Sequence, residues 1–105
     1  MSEAVIAGED AEGLGEALEA EGFDVSRIEG FADREALEAA GIESADVFAI
    51  TDTVHATGIP VARELNGSVR IVVYAHDSLP EFARPLADLS VDPNLLGPDA
   101  VAEEL

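Results

Sequence analysis

The sequence contains no cysteine and no lysine, and its only cationic side chains apart from histidine are five arginines. Without cysteine the chain can form no disulfide, no thiolate nucleophile and no cysteine–zinc site. Without lysine it has neither a Schiff-base lysine nor the phosphate-gripping lysine of a Walker A loop. Its serines form no G-x-S-x-G elbow, and His55 and His76 have no zinc-ligand spacing. The sequence therefore offers no catalytic residues and no metal site, and an enzyme is the least supported class of function.

Acidic residues dominate the charge of the chain. Asp and Glu together number 23, which gives a formal net charge of −18, and 48% of the residues are hydrophobic. Because the acids alternate with a regular apolar pattern, we expect a folded protein with an acidic surface, of the kind found in a salt-rich, haloarchaeal-type cytoplasm. There is no basic patch to neutralise nucleic-acid phosphates or anionic lipids. No apolar run approaches the roughly 20 residues that span a membrane, and no signal peptide is recognisable, so we expect a soluble cytoplasmic chain.

The length of 105 residues fits one packed domain, residues 1–105. Short apolar runs alternate with segments of helical periodicity along the whole chain. The predicted strands cover residues 4–7, 25–28, 46–50, 69–74 and 89–91. The predicted helices cover residues 14–21, 33–40, 58–65, 79–86 and 99–105. Asp33 is the predicted N-cap of the second helix, and Pro60 fits only in the first turn of the third.

This alternation indicates right-handed βαβ crossovers and a parallel sheet covered on both faces. The predicted fold class is therefore α/β, a Rossmann-like doubly wound parallel sheet of about five strands with helices on both faces. Ligands of such sheets bind at the carboxyl ends of the strands, near the point where the strand order reverses. The loops after residues 7, 28, 50 and 74 form that edge, and we interpret His55 and His76 as polar residues of its loops.

The first of these loops lies in the segment V-I-A-G-E-D-A-E-G-L-G. This segment has the pattern of a strand, a glycine-rich turn and the start of a helix. In dinucleotide-binding folds such a turn holds a pyrophosphate on the N–H groups of the helix N-terminus. Here the turn carries Glu9, Asp10 and Glu12, which compete for those donors and repel an anion. Two interpretations remain open from the sequence: a retained nucleotide site, or acids that cap the first helix.

The second half of the chain contains A-D-V-F-A-I-T-D, V-R-I-V-V-Y-A-H-D and A-D-L-S-V-D-P-N-L-L. In order and spacing these segments resemble the TrkA N-terminal domain, the NAD-binding Rossmann-like module also called RCK. The resemblance covers nearly the whole chain. The positions that carry it are Ala45-Asp46, Thr51-Asp52, Asp77, Ala87-Asp88 and Pro93.

The resemblance implies a regulatory domain that binds NAD(H) or an adenine nucleotide, dimerises, and reports the ligand to a potassium channel or transporter. It places Gly8 at the first glycine of the G-x-G-x-x-G fingerprint, Asp10 at the second and Gly13 at the third. A shifted register would put Ala11 at the third position, and under either count the full triplet is absent. The resemblance also places Glu29 at the ribose hydroxyl and Thr51 with Asp52 in the nucleotide cleft, with Tyr74 where the family often has arginine.

Three functional hypotheses follow from the sequence. The first is a stand-alone nucleotide-sensing module of the TrkA-N type that acts as a homodimer, with a transporter or another regulated protein as its partner. The second is an adaptor or self-association protein that keeps the fold but not the cofactor. The third, a small enzyme, has no catalytic residues to support it.

Overall fold

A computed structural model describes residues 2–105, in which five strands alternate with four helices. The strands are β1 Ser2–Ala7, β2 Phe23–Ile28, β3 Val47–Ile50, β4 Arg70–Tyr74 and β5 Leu89–Val91. The helices are α1 Leu14–Ala20, α2 Arg34–Ala39, α3 Gly58–Leu65 and α4 Pro98–Glu104. Three short 3-10 turns lie at Ile42–Ser44, Thr53–His55 and Arg84–Leu86.

The strands form one parallel sheet in the order β2-β1-β3-β4-β5. The predicted doubly wound parallel sheet is therefore confirmed. Its order reverses between β1 and β3, which is the flavodoxin-type arrangement. Ala7 at the end of β1 is paired with Ile28 of β2 on one side and with Ile50 of β3 on the other. The loops after these three strands consequently meet at one point of the carboxyl edge.

Helices cover both faces of the sheet, as the sequence predicts. On one face α2 and α3 pack together, and on the other α1 packs against α4. The alternation of side chains along β3 divides the core: Phe48 and Ile50 belong to the first face, and Val47 and Ala49 to the second. All of β3 is buried, which explains why this strand is apolar at every position.

The predicted helix boundaries are largely confirmed by their caps. The Asp33 carboxylate accepts a hydrogen bond from the N–H of Ala36 at 2.8 Å, so Asp33 is the N-cap of α2. Helices α1 and α2 end at Ala20 and Ala39, two residues before Gly22 and Gly41, respectively. Pro60 lies in the first turn of α3, where its missing N–H has no helical partner to lose.

The predicted helix over residues 79–86 is wrong. The chain there forms a turn followed by the 3-10 turn Arg84–Leu86, and the N–H of Ala83 donates to the carbonyl of Pro80 at 3.1 Å. Pro85 is the physical reason, because in an α-helix its ring would meet the carbonyl four residues earlier and its nitrogen could not donate.

Two aspartates begin strands at the amino edge of the sheet in the same manner. The N–H of Asp46 donates to the Glu3 carbonyl at 2.8 Å, and its carboxylate accepts the Glu3 N–H at 2.9 Å. Asp88 makes the equivalent pair with Ile71, at 2.8 Å in both directions. Each Ala-Asp step therefore clamps the start of one strand to its neighbour, a role that any parallel sheet can use.

Candidate functional site

The loops after β1 and β3 are joined directly at the point where the strand order reverses. The N–H of Thr51 donates to the Ala7 carbonyl at 3.1 Å, which extends the ladder one residue beyond β3. The Thr51 hydroxyl donates to the Glu9 carbonyl at 2.5 Å. Thr51, which the resemblance to the TrkA domain would place in a nucleotide cleft, therefore fixes the path of the loop after β1.

Gly8 allows these two loops to approach closely. Its φ is +108°, a backbone conformation that side chains rarely adopt, and a Cβ there would collide with the Thr51 hydroxyl. Packing between the loops thus explains the glycine without any ligand.

The Asp10 side chain accepts hydrogen bonds from the N-terminal N–H groups of α1. Its two carboxylate oxygens accept from the N–H of Leu14 and the N–H of Gly15, both at 2.7 Å. The Arg27 guanidinium donates to the same carboxylate at 2.9 Å, and only 9% of the Asp10 side chain is exposed. These are donors that a bound phosphate would use. The capping interpretation of Asp10 is therefore the one that the geometry supports.

Gly15, which the sequence analysis does not single out, makes this ion pair possible. A Cβ on Gly15 would collide with the Arg27 guanidinium and would lie 2.9 Å from the Asp10 carboxylate. The G-L-G spacing at the start of α1 is the signal that could have revealed it. Gly13, by contrast, begins α1 in the left-handed conformation, with open space where a Cβ would point.

The environment of Asp10 favours its charged form. Burial by itself would raise the pKa of the Asp10 carboxyl, but the Gly15 N–H, Arg27 and the Leu14 N–H together outweigh it and lower the pKa below 3.8. A helix N-terminus also favours a negative charge. Asp10 therefore stabilises the fold in its charged, carboxylate form.

The structure separates the sequence-predicted site residues into groups. Gly8 and Glu29 line one open cleft, whereas Asp10 and Thr51 line a second, smaller depression. The Asp52 carboxylate accepts from the N–H of Val54 at 2.9 Å and so caps the turn after β3. These positions meet around one edge, and a ligand role for them stays a prediction.

The larger depression, which we call the Phe31 cleft, has a volume of about 370 Å³. It is lined by Gly8, Glu9, Ile28, Glu29, Gly30, Phe31 and His55. The Phe31 side chain is 77% exposed, which is unusual for a large aromatic residue. The Nδ1 atom of His55 is buried and has no hydrogen-bond partner within residues 2–105.

The smaller depression, of about 70 Å³, lies between the loops after β1 and β4. Tyr74 forms part of its wall and donates from its hydroxyl to the Leu96 carbonyl at 2.7 Å. Burial raises the pKa of the Tyr74 phenol above 10.0, and the charges of Glu12 and Asp10 raise it further. Tyr74 thus links β4 to the loop before α4.

No group of three or more His, Cys, Asp or Glu side chains that could hold a metal ion lies within residues 2–105. Over the same residues, no helix is long and apolar enough to cross a membrane.

We predict that Asp10→Ala lowers the free energy of unfolding by about 1–3 kcal/mol, because the substitution removes the acceptor of two N-terminal N–H groups of α1 and leaves Arg27 without its partner. The control is Glu12→Ala in the same loop, whose exposed carboxylate makes no hydrogen bond within residues 2–105 and whose effect should stay within about 0.5 kcal/mol. Equal losses in urea unfolding of the two variants would contradict the capping role.

The Asp10 contribution should also depend on pH. Because its folded pKa is lowered, the contribution is complete well above the ordinary value of 3.8 and is lost as the pH falls through the folded pKa. The difference in stability between the wild-type chain and Asp10→Ala should therefore shrink below that value. A difference that stays constant down to strongly acidic pH would contradict the charged state.

We predict that the tyrosinate absorbance of the folded chain titrates with a midpoint above 10.0. Tyr74 is the only tyrosine and there is no tryptophan, so the signal has one source. Glu12→Gln should lower the midpoint, since it removes one of the charges that oppose ionisation. Because the folded pKa is raised, this contribution to stability is complete below 10.0 and is lost as the pH rises through the folded value. A midpoint at or below 10.0 in the folded state would refute the assignment.

Several solved structures share this fold. A CheY-like response regulator receiver domain protein from Methanospirillum hungatei has a TM-score of 0.74 and 19% identity, covering 99% of this chain and 90% of its own. A putative pilus assembly protein (CpaE) from Burkholderia thailandensis has a TM-score of 0.69 and 20% identity, over 99% and 94%. A Burkholderia pseudomallei response regulator with a phosphorylated aspartic acid, a calcium ion and citrate has a TM-score of 0.66 and 20% identity, over 99% and 70%. At such identities the likeness shows the fold alone.

The resemblance to the TrkA N-terminal domain is wrong, and so is the function it implied, a nucleotide sensor for potassium transport. The similar structures include response regulator receiver domains, and the order of the strands gives the physical reason. In the Rossmann order the third strand lies outside the second, whereas here β3 pairs with β1. Binding of NAD(H) or an adenine nucleotide stays a prediction.

No curated protein matches the sequence. Residues 4–105 match the model of DUF7126, a family of unknown function, and the chain belongs to that family.

Proposed function

We propose that the chain is a protein-interaction module that docks onto another protein through the carboxyl edge of its sheet. This is the adaptor hypothesis of the sequence analysis. The observation that supports it is a division among the side chains of this edge: some stabilise the loops, and others are exposed to solvent. Asp10 and Asp52 are engaged in holding the loops, while large apolar side chains at the same edge are exposed to solvent.

Four of the five large apolar side chains exposed within residues 2–105 follow the ends of strands, and the fifth is Phe82. Phe31 and Val54 come soon after β2 and β3 and are 77% and 60% exposed, and Leu95 and Leu96 come soon after β5. Single exposed apolar residues are normal on any surface. Here they occur in an otherwise acidic chain, at the edge where α/β sheets bind their ligands. This distribution supports binding of a partner rather than chance exposure.

The distance between these side chains favours a macromolecular partner. Phe31 follows β2 and Leu95 follows β5, which are the two edge strands of the sheet. Four strand spacings of about 4.8 Å place these two strands roughly 19 Å apart. A protein surface can cover both ends, whereas a small ligand reaches only one.

A second candidate function is phosphoryl signalling, because one similar structure carries a phosphorylated aspartic acid. Asp52 is the exposed aspartate two residues after the end of β3 in this chain. A phosphoryl group there would add nearly two negative charges beside the acidic loop after β1. Phosphoryl transfer relies on cations to offset such charge, and the guanidinium beside this loop, Arg27, is already paired with Asp10. The interaction module is therefore the better supported function.

The test is retention of protein partners from cells that express the chain. We predict that the wild-type chain and Phe82→Ser retain a common partner, and that the double variant Phe31→Ser with Leu95→Ser loses it. Phe82 is a matched control because it is 52% exposed but lies in the middle of the β4–β5 connection. All substituted side chains are exposed, so folding should be preserved, and circular dichroism checks this.

Two results would contradict the proposal. One is a set of retained proteins that the double variant does not change. The other is covalent modification by phosphoramidate that Asp52→Asn abolishes together with partner retention, which would establish phosphoryl signalling instead.

A further inference from the structure

We infer that the Phe31 cleft binds a basic, apolar segment of the partner, in which an arginine or lysine lies beside an aliphatic or aromatic side chain. The inference rests on the proposed function and specifies the chemistry of the surface that this module recognises.

The Phe31 cleft has room and apolar surface for side chains of a partner. Its volume of about 370 Å³ is within the range of sites that hold a small ligand or a few side chains. Ile28, Gly8 and Gly30 form part of its lining, and Phe31 supplies an exposed ring. A second depression of about 430 Å³ shares Glu29 and Phe31 and continues along α2. Because they share these two lining residues, the two depressions adjoin, and we call them together the groove.

The charge of the groove determines what that segment carries. Glu9 and Glu29 line the first depression, and Glu29, Asp33 and Glu35 line the second, with no arginine among the lining residues described in 2–105. Asp33 caps α2, but the carboxylates of Glu9, Glu29 and Glu35 make no hydrogen bond or ion pair within that part of the chain. These three exposed acids are therefore available to a cationic partner.

The chain's own cations cannot serve this purpose, because all five arginines are engaged within the molecule. Three of them pair with carboxylates and two donate to backbone carbonyls: Arg27 with Asp10, Arg34 with Glu64, Arg63 with Asp88, Arg70 with Glu104 and Arg84 with Leu79. Since the net charge is −18, an approaching protein meets a negative surface, which accelerates association of basic partners and slows that of acidic ones.

A second copy of the chain is a poorer occupant than a basic segment. Each copy carries a net charge of −18, and a two-fold interface would place Glu29 and its neighbours against the same residues. Like charges across an interface oppose binding. A guanidinium or ammonium group can instead lie over the Phe31 ring while it pairs with Glu29. The geometry and the charge thus favour a cationic segment with an apolar neighbour.

The experiment measures binding of a fluorescent amphipathic peptide with leucine on one face and arginine on the other. We predict saturable binding to the wild-type chain by fluorescence anisotropy in low-salt buffer. Phe31→Ser should weaken binding about tenfold, because it removes the aromatic contact, and the double variant Glu9→Gln with Glu29→Gln should weaken it by about fivefold. Molar KCl should reduce the effect of the glutamates and leave the effect of Phe31, since screening acts on charges alone.

The matched control removes two exposed acids from the opposite face of the sheet. Glu19→Gln with Glu103→Gln, on the α1–α4 side, should change the affinity by less than about twofold. If the two double variants weaken peptide binding equally, the effect comes from the net charge of the chain rather than from the groove, and the inference is wrong. Stronger binding of a peptide with glutamate in place of arginine would also overturn it.

One outcome would favour another occupant of the groove. If light scattering shows a homodimer that Phe31→Ser converts to a monomer, the groove binds a second copy and the inference is wrong. The proposed function is tested separately. If binding of a natural partner depends on Phe31 but not on Glu9 and Glu29, the interaction-module function is supported and only the basic character of the bound segment is refuted.

Discussion

The Asp10 carboxylate at the start of α1 is the interaction on which the site depends. It accepts two backbone N–H groups of the helix and pairs with Arg27 of β2, so one side chain joins the first loop, the first helix and an edge strand. A side chain at position 15 would collide with the Asp10–Arg27 ion pair, and one at position 8 would collide with Thr51, so both positions require glycine. The loop that would hold a phosphate in a dinucleotide-binding domain is held here by its own acid.

This arrangement divides the acids of the carboxyl edge into two kinds. Asp10, Asp33 and Asp52 cap helices or turns, and their charges stabilise the backbone N–H groups they accept from. Glu9 and Glu29 are exposed beside an uncovered aromatic ring. The short aspartates serve the fold, and the longer glutamates remain for a partner. The exposed glutamates and the Phe31 ring together form the proposed interaction surface.

Much of the fold could be predicted from the sequence, because the apolar periods and the caps are local signals. The buried strand β3 and the Asp33 cap are examples. The order of the strands could not be predicted, since whether β3 pairs with β1 or lies outside β2 depends on packing between distant segments. The Ala-Asp steps were misleading for a physical reason. Asp46 and Asp88 clamp parallel strands, so they mark a parallel sheet rather than a TrkA domain. The Asp10–Arg27 pair could not be deduced, because it joins residues that the fold brings together, whereas the G-L-G spacing offered a local signal for Gly15.

The most direct test of this account is a map of backbone amide chemical shifts in the labelled chain, during titration with the leucine–arginine peptide and, separately, with pyrophosphate. We expect the peptide to shift the amides of Glu29, Gly30 and Phe31, and pyrophosphate to leave those of Leu14 and Gly15 unchanged because Asp10 already accepts their hydrogen bonds. Saturable shifts of Leu14 and Gly15 with pyrophosphate, with no response around Phe31 to the peptide, would contradict it.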